Sequence, residues 1–593
     1  PEDRFPSAVE FLKVIRSWAE VADPEESGPL TLQCPRCVSH VSPSARRCPQ
    51  CGESLVSAAP ISGPGFYKVS SKDIVQDVIE PSAWTRAQEH VSGDGPALGF
   101  PPVSVELGPA PDDWFVSPMS SQAPFFGHRE LLEKTEAELI LPDLRCLRVV
   151  GPPGQGKRRL AGTLLGRLVS EGRRGILVQP DPGDAPEPLG AAHRAATALL
   201  DLPCEPMSLE DLLQAGKDTG LDEATVYGLA DLFSLGKPGG VTIDERRQRR
   251  ARAWQTLVTN ASRQRPLALL FEDLDRMDGA TRELVISLAA AQGGPAVVLL
   301  ATHQPEHVAL WPSAFRELRL GAMEGPDLEE FALELSDGRL GDAEISRVVT
   351  ASKGNPLHLQ QAVAFLISHP EAEFPRGLAD LIAVRAGRLP PALLGVLQAA
   401  AVLGDLVDEE SLQLLSASSG WVNEAVAALA SRAFLSTGSE GVRFVHPYLR
   451  QVVYAAIPAG IRAALHGEAA RHLRQIGARR EQIAHHLWHA EDLREEALPL
   501  LIGAGEWALS LLEEESAVLA FRRALKLLPR PSPATSDPDL RAAWVRSVGG
   551  LVEATDRSGD QREARLLLAS ALEEASAAGW HAERTALAER SHG

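Results

Sequence analysis

The sequence predicts a multidomain fold: a four-cysteine zinc ribbon, an α/β P-loop NTPase domain with a parallel sheet covered by helices on both faces, then an all-α region, winged-helix-like at first and TPR-like at its end. Three observations carry this. Two CxxC pairs stand together near the start, a G-x-x-x-x-G-K loop separates an apolar strand from a helix, and strand signals almost vanish beyond Leu320. The 593 residues suit roughly four domains at about 150 residues each.

Bulk properties narrow the function classes. With 59 Lys and Arg against 79 Asp and Glu, the formal charge is -20, which argues against a nucleic-acid or acidic-membrane partner. No run of about 18 apolar residues occurs, so no membrane span is expected. The longest apolar stretch, Leu393 to Leu406, is broken by Gln398 and Asp405. No charged-then-apolar leader opens the chain, and a cytoplasmic location is expected. The first residue is Pro, the start expected of a fragment or a processed product.

Residues 1–20, PEDRFPSAVEFLKVIRSWAE, read as a turn and an amphipathic helix, with Phe5, Val9, Leu12, Ile15 and Trp18 at helical spacing. In residues 30–55, Cys34 and Cys37 form one CxxC pair and Cys48 and Cys51 another, ten residues further on. Each tight turn points two thiolates at one centre, and two such turns complete a tetrahedral zinc site. A disulfide pair is the alternative. The small module and the solitary Cys146 and Cys204 favour reducing conditions and Zn2+. Four cysteines leave no open coordination position, so the zinc reads as structural. Residues 56–122, rich in Pro, Gly and Ser, read as a linker.

Residues 123–320 alternate short apolar strands with helical segments. "CLRVV", "GILVQP", "LALLFEDLD" and "AVVLLATHQP" have the length and composition of buried parallel strands. The loop Gly151, Pro152, Pro153, Gly154, Gln155, Gly156, Lys157 joins the first of them to a helix. That placement aims backbone N–H groups and a helix N-terminus at a phosphate chain, with Lys157 reaching the β- and γ-phosphates. About 115 residues on, Glu272 and Asp273 leave an apolar strand where a magnesium ligand and a water-orienting carboxylate are needed. Thr302, at the end of a third strand, stands where a γ-phosphate sensor would lie. The expected ligand is ATP or ADP.

One position departs from the pattern. Arg158 stands where a Ser or Thr hydroxyl would hold Mg2+. This ion keeps several waters and takes few protein ligands, so its binding is expected to weaken rather than vanish. The guanidinium is expected to pair with phosphate oxygens and to replace part of the cation. It cannot bridge β- and γ-oxygens in the transition state, so hydrolysis is expected to be very slow or absent. Thr163 lies more than a turn further along the helix and does not substitute.

Beyond Leu320 Ala, Leu, Glu and Arg dominate at helical spacing. Within this region "FLSTGSEGVRFVH" reads as a small hairpin suited to a winged helix. Two later stretches, Glu495–Pro529 and Ala542–Gly579, read as helix–turn–helix units with TPR-like small-residue and aromatic spacing. His485 and His489 lie four apart on one helix face, but no H-E-x-x-H is completed, and a structural helix is the expectation. The basic run Glu245 to Trp254 reads as a solvated helix face.

In the order of its motifs, roughly residues 123–530 resemble the signal-transduction ATPases with numerous domains (STAND), a branch of the AAA-type P-loop NTPases. The lead-in segment F-x-G-R-E of that family is matched by Phe126 and Gly127, with His128 where Arg is usual. Glu272, Asp273, Leu274 and Asp278 match its acidic strand-end pattern, and Ala301, Thr302 and Pro305 its sensor strand, where Gln304 replaces Arg. Gly354, Asn355 and Pro356 match its G-N-P lid motif. Phe444 and His446 match its winged-helix F-x-H, with Tyr454, Arg462 and His466 downstream.

The resemblance implies domains at 123–320 (nucleotide core), 321–375 (helical lid), 376–475 (winged-helix-like) and 476–593 (TPR-like repeats). It implies that His446 packs against the diphosphate and holds a closed form, that TPR-like helices bind a protein partner, and that nucleotide-dependent oligomerisation is open to the chain. Residues 1–20 resemble the last helix of bacterial serine/threonine kinase domains, although no HRD, DFG or kinase glycine-rich loop occurs in the chain. Together these features are similar to the C-terminal part of a bacterial, myxobacterial-like multidomain kinase. A nucleotide-regulated signalling switch is the reading; an inert interaction scaffold and an ATPase-type transcription regulator are the alternatives.

Overall fold

The computed structural model describes residues 32–33, 40–41 and 126–590, except 140–145, 182, 184–185, 203–207, 236–240, 291–296, 306–313, 371, 376, 417–420 and 439–440. The helix expected in residues 1–20, the four clustered cysteines Cys34, Cys37, Cys48 and Cys51, and the linker 56–122 lie outside the described residues. Two units divide the chain, residues 1–74 and 75–593. In the first, β1 (Leu32–Gln33) pairs antiparallel with β2 (His40–Val41), a ladder that brackets the first CxxC pair in sequence.

The second unit is built on β3 (Cys146–Val150), β4 (Arg174–Val178), β5 (Leu267–Phe271), β6 (Val297–His303) and β7 (Arg316–Arg319). These form one sheet in the order β4-β5-β6-β3-β7, and every pairing is parallel. Parallel neighbours need crossovers, and the helices that make them cover both faces. Side chains alternate accordingly along β5. Leu267, Leu269 and Phe271 pack with the helices Gly190–Leu199, Ile243–Gln264 and Gly279–Ala290. Ala268 and Leu270 pack with Arg129–Leu139 and Lys157–Ser170 on the other face. Each such fully buried leucine contributes about 1.5–3 kcal/mol through burial. The register sets Val150 beside His303 and Phe271 beside Ala301, so β3 and β6 end level and β5 stops two residues short of them. Chain order reverses around β3, which is where an open α/β sheet offers its ligand crevice.

Among the described residues the remainder is helical apart from one small antiparallel sheet, β8-β10-β9, made by Leu406–Val407, Gly441–Phe444 and Leu435–Gly438. The helices Gly325–Ser336, Asp342–Ser352 and Pro356–Ser368 share a core of Phe331, Val348 and Phe365. A second core, with Val396, Phe434 and Leu449, joins the small sheet to the helices Pro391–Leu403, Val422–Ser431 and Pro447–Ala456. Further on, Leu498–Ser510, Glu514–Leu527 and Pro538–Arg557 pack in sequence around the fully buried Phe521. A β-carbon on Gly505 or Gly550 would lie 2.7 or 2.3 Å from that ring, so both positions must stay small.

The basic run at 245–254 is not a solvated face. Arg246 and Arg250 are 6% and 2% exposed. Arg246 pairs with Asp231 at 2.8 Å, Arg247 with Glu514 at 2.6 Å, and Arg250 donates to the Leu511 carbonyl at 2.7 Å. Periodicity shows an amphipathic helix but cannot show that residues about 260 positions away cover its charged side.

Candidate nucleotide site

After Val150 the chain must leave the sheet and enter a helix within six residues, and glycine makes this possible. Gly154 and Gly156 take φ of 80° and 91°, in the left-handed region. A β-carbon at Gly154 would also lie 2.7 Å from the Leu357 side chain and 2.8 Å from Asn355 Oδ1. No side chain caps the helix Lys157–Ser170, which leaves its first-turn N–H groups to an anion. Lys157, buried beneath the loop, donates from Nζ to the carbonyls of Gly151 (2.7 Å) and Pro152 (3.1 Å).

Arg158 reaches across 115 residues to the end of β5. Its Nε lies 2.9 Å from Glu272 Oε2 and its Nη2 donates to Asp273 Oδ2 at 3.1 Å. The guanidinium that the sequence leads one to place near phosphate is held here by both carboxylates. Burial pushes the Glu272 carboxyl up, while Arg158 and a 3.0 Å hydrogen bond from Gln179 Nε2 oppose the shift. Burial also works against Asp273, but Arg158, Arg276 and Lys157 outweigh it, and its pKa falls. Asp273 sits at φ 44°, braced by Thr302, whose Oγ1 accepts its N–H at 2.8 Å. That hydroxyl is fully buried and also donates to Asp273 Oδ1 at 3.4 Å. Asp278 lies apart from the pair and caps the helix Gly279–Ala290, accepting from Thr281 N (2.8 Å) and Thr281 Oγ1 (2.6 Å).

The lid grips the loop from one side. Asn355 Nδ2 donates to the Pro153 carbonyl at 3.0 Å while its Oδ1 accepts His358 N–H at 3.0 Å, and Leu357 N–H donates to Gly154 at 3.3 Å. Pro356 fits the first turn of the same helix, where no N–H is needed. With its amide turned to donate, Gln155 reaches the carbonyls of Gly321 (3.1 Å) and Gly354 (3.2 Å). Gly127, at φ 70°, leaves room for Met323, and Phe126 stacks on Phe331 at 5.2 Å.

His446 stands near Lys157, Arg158 and Asp273. It begins the helix Pro447–Ala456, its Nδ1 accepting Tyr448 N–H at 3.0 Å. Burial, then the Arg158 and Lys157 cations, lowers its pKa to about 4, so the imidazole is neutral. Nearby, Arg276 pairs with Asp405, and Arg450 lies 3.6 Å from the same carboxylate. Arg443 of β10 contacts Gln179 at 3.5 Å. Gln179, Arg276, Asp405 and Arg443 carry no motif, and sequence reasoning misses them. Asp405 alone leaves a trace, as the charge that breaks the longest apolar stretch. At the far end of the His446 helix, Tyr454 Oη lies 2.8 Å from His466 Nε2, and His466 Nδ1 lies 2.9 Å from His486 Nδ1. The His485 and His489 rings pack 4.8 Å apart in the same cluster, and among the described residues no group of three or more His, Cys, Asp or Glu is arranged to hold a metal ion.

A parallel sheet with a glycine loop, a buried lysine and an uncapped helix at its switch point defines a P-loop NTPase-like core, here followed by a helical region. Residues 129–300 match the family model described as "AAA ATPase domain". Among solved structures, the chain is similar to a signal transduction ATPase with numerous domains carrying a tetratricopeptide repeat sensor, from Pyrococcus horikoshii: identity is 14%, coverage 82% of this chain and 70% of that one, TM-score 0.45. It is also similar to a RuvB variant of Thermotoga maritima, at 15% identity over 56% of this chain and 97% of that one, TM-score 0.23. None of the curated proteins matches the sequence. Among the described residues, no helix is long and apolar enough to cross a membrane.

Proposed function

We propose that this chain is a nucleotide-binding signalling switch that holds ATP or ADP with little dependence on Mg2+ and hydrolyses ATP very slowly or not at all. The observation that carries the reading is the Arg158 guanidinium between Glu272 and Asp273, at 2.9 and 3.1 Å. The glycine loop, Lys157 and the uncapped helix fit a phosphate chain. The acidic pair fits magnesium poorly, because a fixed cation already shares its oxygens. His446, neutral and close to Lys157, Arg158 and Asp273, supports a role in sensing which nucleotide is bound.

In this reading the helical region after residue 476 carries a protein partner site, and the module regulates a kinase domain to which residues 1–20 belong. The kinase link rests on the P-E-D-R-F-P-S-A run alone, and the structural zinc at Cys34, Cys37, Cys48 and Cys51 on the two CxxC pairs. Calorimetric titration with ATP and ADP, with and without magnesium, tests the central claim. Tight binding that magnesium leaves unchanged is expected; brisk magnesium-dependent phosphate release would overturn it.

A further inference from the structure

The turn Leu511–Glu513, between two helices of the C-terminal region, and the first turn of the second helix are seated on the nucleotide core. Glu513 is 1% exposed and caps two helices at once. Its Oε2 accepts Ala280 N–H at 2.7 Å, at the start of Gly279–Ala290, and its Oε1 accepts Ser516 N–H at 3.2 Å, in its own helix. Glu515 pairs with Arg282 at 2.6 Å, beside the contacts that Arg247 and Arg250 make with Glu514 and Leu511. Asp278, 4% exposed, takes the next N–H of the same core helix, that of Thr281.

Two carboxylates therefore share one buried helix start. A helix N-terminus carries roughly half a positive charge, enough to favour one anion rather than two. The surroundings do not make up the difference. Glu283 on the core helix and Glu514 and Glu515 on the repeat helix add to the acids, while Arg282, Arg247 and Arg250 are the cations that act on them. Asp181, paired with Arg194 at 2.5 Å, still adds to the charge facing Asp278, and burial outweighs the Leu189 N–H that Asp278 also accepts. Like charges crowded in a dry place hold a proton.

We propose that seating this turn on the core takes up one proton at the Asp278–Glu513 pair, so that the contact between repeat and core tightens as the medium acidifies. Burial beside Asp278 pushes the Glu513 carboxyl up to about 7, whereas a free glutamate ionises near 4.3. The seated form therefore holds more protons than the open form between these values. Seating strengthens as pH falls from about 7 and is indifferent to pH above it, which amounts to about tenfold between pH 8 and pH 6.

Amide hydrogen exchange of the whole chain, corrected for the intrinsic pH dependence, reads this out at Ala280 to Arg282 and at Leu512 to Ser516. Protection there should rise about tenfold between pH 8 and pH 6, while β5 amides stay unchanged. Glu513→Gln should abolish that rise; if this variant does not fold, Asp278→Asn should do the same. Equal protection at both pH values in the parent chain, or an undiminished rise in a folded variant, would overturn the proposal. No nucleotide is needed, so the outcome stands apart from the reading of the phosphate site.

Discussion

The two carboxyl-end segments that face each other across the sheet obey different rules. After β3, each residue does what a phosphate loop asks: glycines turn, Lys157 is buried beneath the loop, and the helix start is left uncapped. After β5, the acidic pair has the right residues, but a guanidinium of the same chain spans them. In the proposed reading, holding a phosphate chain and stabilising its cleavage are separable parts of the site, because the first needs aligned donors and the second a mobile metal shared with the substrate.

The predictions probe that division, the largest effect first. If the proposed reading holds, Lys157→Ala removes the main cationic contact to phosphate and should weaken ADP at least about 100-fold by calorimetry; retained binding would dissolve the contrast between the two segments. Arg158→Ser should sharpen it. Freed carboxylates and a hydroxyl would let magnesium improve ATP affinity at least about tenfold, an effect absent from the parent chain, and slow phosphate release should become measurable. Asn355→Ala breaks the bond to Pro153 and the cap on His358, costing about 1–2 kcal/mol of module stability in denaturant melts. The smallest effect belongs to His446. Its folded pKa, about 4, lies below the ordinary 6.5, so the unfolded chain binds the extra proton. Stability should therefore fall modestly as pH drops from 6.5 towards 4 and be steady above. His446→Ala should flatten that slope and weaken ADP severalfold, and unchanged ADP affinity would reduce His446 to a helix cap.

Much of this was legible. Strands β3, β5 and β6 announced themselves as apolar runs because a parallel sheet buries both faces, while β4, an edge strand with Leu177 half exposed, showed only through the apolar run Ile176 to Val178. β7 did not, since Arg316, Glu317 and Arg319 surround a lone inward Leu318 on an edge strand. Arg158 drew notice by being the wrong residue, but its partners depend on how far β5 extends towards the loop, which no local pattern encodes. Glu513 and Arg250 were invisible for a related reason. Each is an ordinary charged residue on a helix until the fold brings a segment more than 230 positions distant against it.

The helix Pro447–Ala456 has a consequence for how movement can spread. Ten residues make a strut about 15 Å long. One end is capped by His446 at the candidate site, the other is held by Tyr454 on His466, in the helix that leads to the C-terminal helices. Hydrogen bonds fade beyond roughly 3.5 Å, so the 2.8 Å Tyr454 contact tolerates about 0.7 Å of sliding. Any larger stroke at His446 must either drag the Ala459–Gln475 helix along or snap that coupling. The end of the chain that His446 holds and the helix that leads to the C-terminal region are thus joined with little slack.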